Sequence, residues 1–461
     1  MAFDIYVSTN GGPWTAWLTG ATNTCAIFQG QGGYTYGFYS VAHDGAGNVQ
    51  TNTGVAQAST SVILSTLVVT SLQPGPSGVS VFFNRAINAS VLSLYGTNLP
   101  DDFTLVGSNS GSVAGSLSVG ASATNVTFVK TGGPLAADEY TVTLLSATNG
   151  FEDLNGNRLD GNADGVPGDN HVAQFTVVLS TNRVISLPDF ARGPGQVVNI
   201  SVTTAGIPLM ISEGSNVLAV SLAVQYDTNL LQVTGVSLGS AVPAGWTLTN
   251  TLGVPGSLQL SLAGTNPLAP GLNTFARIQA LVPWCASYAS SGIINIGPVQ
   301  INGGTIPETA GSAVAVAAFL GDADGDGSYS IYDALLIGQA AGGEINGFAA
   351  FPLIDPVIIG DVNGDGLLTT NDATLVAEEV IGIPVPGLPN LPQPQLTISV
   401  MNGQLLISWP QCAGGYILES AAALDTQTSW IAVTNVPVAL GDQQTVMVNA
   451  TGGTRFYRLA K

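Results

Sequence analysis

Basic residues are scarce in this chain. Nine Lys and Arg stand against 29 Asp and Glu, for a formal charge of −20 over 461 residues. A surface so acidic repels a phosphate backbone, which excludes nucleic acid as a partner. Histidine is scarcer still: His43 and His171 are the two. They fall in separate modules, so neither a Ser-His-Asp constellation nor a His-based zinc site can assemble within one module. Cys25, Cys285 and Cys412 lie far apart, with no metal-ligand spacing and no disulfide framework, and they read as buried free thiols. No apolar run reaches the ~18 to 20 residues of a membrane span, and no leader peptide opens the chain. Met1-Ala2-Phe3-Asp4 starts directly into strand-like sequence, as expected of a fragment of a longer secreted protein. There is no nucleophile elbow, phosphate loop or dinucleotide fingerprint. The glutamates, among them Glu139, Glu152, Glu213, Glu308, Glu344, Glu378, Glu379 and Glu419, are dispersed. Nothing pairs two carboxyls across one cleft at the ~5 to 9.5 Å that glycoside hydrolysis needs. The expectation is a non-catalytic chain.

What remains is apolar and turn-rich. Hydrophobic residues make up 45% of the chain and charged residues 8%, with 58 Gly and 25 Pro. Short strands joined by turns have this composition, and the fold class expected is mainly β, a string of sandwiches.

The most specific chemistry is a pair of acidic loops. Calcium takes roughly six to eight oxygens, and a loop of about 12 residues supplies them from positions 1, 3, 5, 7, 9 and 12, around a turn that Gly at position 6 makes easily. The first loop offers side chains of Asp322, Asp324 and Asp326, the carbonyl of Ser328, a direct or water-bridged Ser330, and a closing Asp333. In the second the same roles fall to Asp361, Asn363, Asp365, Leu367, Thr369 and Asp372. Each loop runs into an apolar stretch, Ala334-Leu335-Leu336-Ile337 and Ala373-Thr374-Leu375-Val376. Two such loops in tandem imply two calcium ions. Neither loop reads as preceded by a helix: 313–319 alternates like a strand, and Pro352 and Pro356 would break a helix entering Asp361. A third acidic segment offers Asp153, Asn155, Asn157, Asp160, Asp164 and Asp169 in one Gly-rich loop. Two readings stay open there: one further calcium ion, or an Asx-stabilised turn without metal.

The loop-plus-exiting-helix unit, duplicated, resembles a dockerin, the calcium module of cellulosome-type systems, over 320–383. That resemblance implies partner selection by loop positions 10 and 11, here Ile331-Tyr332 and Thr370-Asn371. Upstream, residues 183–318 alternate apolar and polar, and Tyr226-Asp227-Thr228-Asn229-Leu230-Leu231 closes a strand as in cohesins, the β-sandwich partners of dockerins. Residues 1–54, with the turn Asn10-Gly11-Gly12, resemble a partial fibronectin-III-like or Ig-like domain, and 67–179 a bacterial Ig-like domain. His43 and Asp44, adjacent on a strand, point to opposite faces and make no catalytic pair. A Pro-rich linker spans 384–395. Residues 396–461, with Trp409 and Trp430, resemble a C-terminal fibronectin-III-like domain in which those tryptophans serve as core better than as a sugar platform. Together these resemblances imply a secreted or cell-surface bacterial protein that assembles through a cohesin/dockerin-type protein partner, in trans or in cis. They also imply a link to extracellular polysaccharide breakdown and leave open carbohydrate binding by a sandwich. Millimolar extracellular calcium would fill such loops. The alternative is a surface stalk or adhesin in which the two modules pack against each other, or the accessory tail of a larger glycoside hydrolase.

Overall fold

Period-two alternation builds the sheets. Along Ser257–Ala263, Leu258, Leu260 and Leu262 turn inward and the residues between face outward; Tyr140, Val142 and Leu144 do the same on Asp138–Leu144. The computed structural model describes all residues except 31–33, 52–53, 63–65, 96–100, 201–203, 402, 413–415, 425–427, 450–452 and 461. The chain is mainly β, with several sheets packed as sandwiches and a few short helices.

The first sheet has four antiparallel strands in the order Thr15–Ala21, Ala2–Thr9, Thr35–His43, Ala58–Ser61. Asn10 and Gly11 both take positive φ in its first turn, the geometry a tight hairpin demands. A sandwich follows from two four-stranded sheets, Val69–Gly75, Gly78–Phe83, Asn125–Lys130, Gly115–Val119 and His171–Val177, Asp138–Leu144, Phe103–Gly107, Gly111–Ser112. Phe83, Phe103, Phe128, Tyr140 and Phe151 fill it.

The next sandwich is larger. Its five-stranded sheet runs Gln232–Leu238, Asn273–Leu281, Ile207–Ile211, Arg183–Ser186, Glu308–Ala310. Its six-stranded sheet runs Phe190–Ala191, Ala313–Val316, Ser291–Ile301, Ala219–Gln225, Ser257–Ala263, Thr247–Val254. Leu209, Val220, Leu258, Phe275 and Ile301, all fully buried, knit the two sheets into one core. Asp227 holds the turn after Ala219–Gln225 by accepting from the Asn229 amide, and Leu230 and Leu231 plug the core. The segment's first and last strands pair in parallel within each sheet: Arg183 lies opposite Glu308, and Phe190 opposite Ala315.

Three helices come next: α1, Ile331–Ala341; α2, Pro356–Gly360; and α3, Thr370–Val380. The expectation that no helix leads into Asp361 is corrected by α2. Pro356 sits in its first turn, where the missing N–H has no partner to lose, and Asp355 caps it by accepting from the Val357 amide at 3.0 Å. Val129, Ala191, Val314, Val316 and Leu320 share one hydrophobic core with Ile337, Phe348, Phe351, Ile359 and Val376, so the helices are wedged against both preceding sandwiches. Each fully buried aliphatic side chain in such a core contributes about 1.5 to 3 kcal/mol. Backbone bonds stitch the same seam: Leu94 N–H to Pro352 O and Leu117 N–H to Leu353 O, both 2.8 Å. Thr131 Oγ1 donates to buried Asp355 at 2.6 Å, and Ser312 N–H to Ser77 Oγ at 2.8 Å.

The final sandwich pairs a four-stranded sheet (Thr397–Met401, Gln404–Pro410, Gln443–Asn449, Val438–Leu440) with a three-stranded one (Ile431–Ala432, Ile417–Ala421, Phe456–Ala460). Its core is small, Ile407, Trp409, Leu418 and Val446, and Trp284 of the preceding large sandwich packs against it. Trp409 is core, and Trp430 lies under the Arg458 guanidinium at 4.4 Å. This docking corrects the reading of the cysteines. Cys285 and Cys412 form a disulfide with Cα atoms 4.9 Å apart, and Cys25 is exposed, so none is a buried free thiol. The reason is long-range: the last sandwich returns to the turn after Asn273–Leu281, a proximity that a separation of 127 residues hides.

Candidate metal centre

The first loop begins where Ala313–Val316 leaves the large sandwich and ends inside α1. Gly327, at position 6, takes φ +83°, which no residue with a Cβ adopts without strain. The position-1 carboxylate organises the turn: Asp322 Oδ1 accepts from Gly325 N–H and Oδ2 from Gly327 N–H, each at 2.8 Å. Asp324 and Asp326 each accept from the amide two residues on. Ser330 is the N-cap of α1 and Asp333 completes a capping box, taking Ser330 N–H and Oγ–H on Oδ2 and Asp324 N–H on Oδ1. One aspartate therefore closes the loop and starts the helix.

Ligand oxygens of Asp322, Asp324 and Asp333 lie within 4.8 Å of one another, and Asp322 and Asp333 are fully buried. Among the described residues no Lys, Arg or His forms an ion pair with any of the three. Burial, only partly opposed by hydrogen bonds from Tyr288 and Gly327, pushes the Asp322 carboxyl up to about 6. Buried like charges without a counter-ion are costly, and a hard divalent cation with oxygen ligands removes that cost. The donor set fits calcium: carboxylates at positions 1, 3, 5 and 12, and oxygens from Ser328 and Ser330 at 7 and 9.

The second loop makes a similar turn, with two further amide bonds to its carboxylates. Asp361 accepts from Gly364, Asp365 and Gly366; Asn363 from Asp365; and Asp365 from Leu367. Buried Asp372 takes Val362 and Asn363 amides on Oδ1 and both Thr369 donors on Oδ2, capping α3. With an amide at position 3, this loop gathers fewer carboxylates. It also borders a cleft of about 650 Å³ whose walls include Asp361, Asn363, Gly366, Phe190 and Met210.

The six residues of the third acidic segment are not drawn into one carboxylate cluster among the described residues. Asp153 is met by Arg85 Nη1 at 3.1 Å and by the amides of Asn155 and Asn157. Asp160 takes Thr66 Oγ1 and the amides of Asp164 and Gly165, and Asp169 takes the Asn162 amide. His43 binds Asp4 at 2.9 Å, while Asp44 holds its own turn.

Loop positions 10 and 11 all face solvent. Ile331 and Tyr332 are 63% and 52% exposed, Leu335 one turn on is 53% exposed, and Thr370 and Asn371 are exposed as well. The opposite face of α1, Ala334 and Ile337, is buried. Sequence reasoning missed Tyr288, whose hydroxyl, from the large sandwich, donates to Asp322 Oδ2 and accepts the Phe319 amide at 2.9 Å. Nothing local marks a residue 34 positions upstream.

No family model and no curated protein matches the chain. Solved structures do. A non-cellulosomal cohesin from the hyperthermophilic archaeon Archaeoglobus fulgidus is 14% identical, with 29% of this chain and 90% of that one covered at a TM-score of 0.25. The sixth cohesin of scaffoldin B from Acetivibrio cellulolyticus, solved with a dockerin, is 17% identical over 30% of this chain and 99% of its own, at 0.25. A chain of a type I cohesin–dockerin complex from Clostridium thermocellum is 12% identical over 30% and 99%, at 0.24, so part of this chain is similar to chains from cohesin structures.

Proposed function

We propose that this chain is a non-catalytic, calcium-dependent assembly segment of a secreted or cell-surface multidomain protein, built from a cohesin-like sandwich and a dockerin-like helix pair. The observation that carries the reading is the carboxylate cluster at the start of α1, in which Asp322 and Asp333 are buried and Asp324 half-buried, and with which no Lys, Arg or His forms an ion pair among the described residues. Bound calcium would neutralise that cluster. The chain's own residues do the rest: Ser330 and Thr369 fix the helix starts, and Ile337 and Val376 seat the helices in the shared core. An outer face of Ile331, Tyr332 and Leu335 is left for a protein partner. The Cys285–Cys412 cross-link supports an oxidising, extracellular setting. Resemblance of the loops to dockerins supports a role near polysaccharide breakdown.

A second reading is favoured by the shared core. Because α1 and α3 bury their inner faces against strands of the same chain, the pair also suits a rigid joint in a stalk, with the contact that cohesins and dockerins make between chains made here within one.

Calorimetric titration of the full chain with calcium, with hydrogen exchange in parallel, tests the proposal. Two ions should bind, or three if the segment 153–169 takes one, and chelation should deprotect 320–383. No heat of binding and unchanged exchange after chelation would refute it. Soluble cohesin domains that bind wild type but not Ile331→Ala/Tyr332→Ala would favour assembly in trans, and no binding would favour the joint.

A further inference from the structure

The two loops make similar turns but differ in wiring and in neighbours: Oδ1 of Asp361 and of Asp372 each takes two amides, where Oδ1 of Asp322 and of Asp333 each takes one. In the first, both lone-pair positions on Asp322 Oδ2 are taken, one by Gly327 N–H from within the loop and one by the Tyr288 hydroxyl from the large sandwich. Among the described residues Oδ1 accepts only Gly325 N–H, so one position on it stays open. Asp333 is left alike: Oδ2 takes two donors from Ser330, and Oδ1 takes one from Asp324. Tyr288 thus fixes which oxygen of Asp322 is free. The hydroxyl is itself held, because the Phe319 amide donates to it and its ring packs on Phe319 at 5.6 Å. Asp361, the equivalent residue of the second loop, takes its hydrogen bonds from its own loop and borders the open cleft.

We propose that Tyr288 is a positioning residue for the ion of the first loop, so that calcium affinity there depends on the helices being docked on the large sandwich. This rests on the calcium reading above. An outer partner that orients a ligating carboxylate is typically worth about 10- to 100-fold in metal affinity. Coupling is reciprocal: whatever factor docking adds to calcium binding, calcium adds to docking. The first loop is therefore the latch between modules. Tyr288 lies three residues beyond Cys285, in the turn that also carries the cross-link to the last sandwich, so three modules converge on this turn.

The test is calcium titration of full-length wild type and Tyr288→Phe, which removes the hydroxyl and keeps the ring. One binding event should weaken by about 10- to 100-fold and the rest stay unchanged. The rise in thermal midpoint on adding calcium should shrink; a purely structural role for the hydroxyl would lower the midpoint equally with and without the ion. Equal affinities in the two proteins, with the same number of ions bound to each, would overturn the role of Tyr288 and leave the calcium reading intact. A wild type that takes up no calcium would overturn both. Should Tyr288→Phe fail to fold, hydrogen exchange on wild type decides. Calcium must then slow exchange of the Phe319 amide and of 285–290 as well as the loop, and slowing confined to 322–333 would refute the coupling.

Discussion

Reducing the Cys285–Cys412 bond should uncouple the last sandwich from the rest of the chain. Both cysteines are solvent-exposed, so a mild reductant reaches the bond without prior unfolding. For global unfolding the cross-link spans 127 residues, which a chain-entropy estimate converts to about 5 kcal/mol. Local unfolding of the last sandwich is a different case. Gln196 Nε2 anchors the spacer to the large sandwich through Asn390 O at 3.1 Å, so the loop that the disulfide closes is only about 20 residues long and contributes about 3 kcal/mol. That is a large share of the stability of a module whose buried core comprises Ile407, Trp409, Leu418 and Val446, since a domain of this size has about 3 to 10 kcal/mol in total. At about 4 to 8 °C per kcal/mol, its thermal transition should fall by roughly 10 to 25 °C on reduction. Scanning calorimetry with and without reductant, with limited proteolysis to locate the melted segment, measures this. The large sandwich should hold its transition. A fall of less than about 5 °C in the last module, or transitions that move together, would refute the local-loop reasoning.

Two further outcomes follow from burial. Asp102, 5% exposed, has its carboxyl pushed up to about 6 from 3.8 by burial, against a hydrogen bond from Ser93 N–H. Between those two values the folded chain holds a proton that the unfolded chain has released, so stability falls as pH rises from 3.8 to about 6 and stays reduced above it. Asp102→Asn should therefore flatten that slope and raise the stability of its sandwich at neutral pH by about 1 to 3 kcal/mol, read from denaturant midpoints; an unchanged slope would count against it. On α1, Ile337→Ala should cost about 2 to 4 kcal/mol, while Ile331→Ala should stay within about 0.5; equal effects in urea unfolding would mean the helix faces are misassigned.

The parts of this protein that could be read locally were those set by short-range rules. Alternation along 257–262 marks a strand, and the spacing of Asp and Gly from Asp322 to Asp333 marks a tight turn running into a capped helix, because those residue types at those positions are what the turn requires. The mainly β character was legible for the same reason, since a turn-rich, weakly charged composition suits little else. What escaped depends on distant approach. The disulfide and Tyr288 arise from how modules dock, and α2 escaped because Pro356 was weighed as a helix breaker when its position made it a helix start. The half-buried Asp324 and the fully buried Asp322 have the same letter in the sequence, and only the surrounding core distinguishes them.

The parallel pairing of first and last strands in the large sandwich has a mechanical consequence. The chain enters at Arg183 and leaves past Val316, and each of these strands lies alongside a parallel neighbour from the other end of the segment. Tension between entry and exit would therefore slide the paired strands past each other along their length. Their evenly spaced bonds would share the load at once instead of parting one at a time. A module wired this way resists stretching far better than a terminal hairpin peeled from its tip.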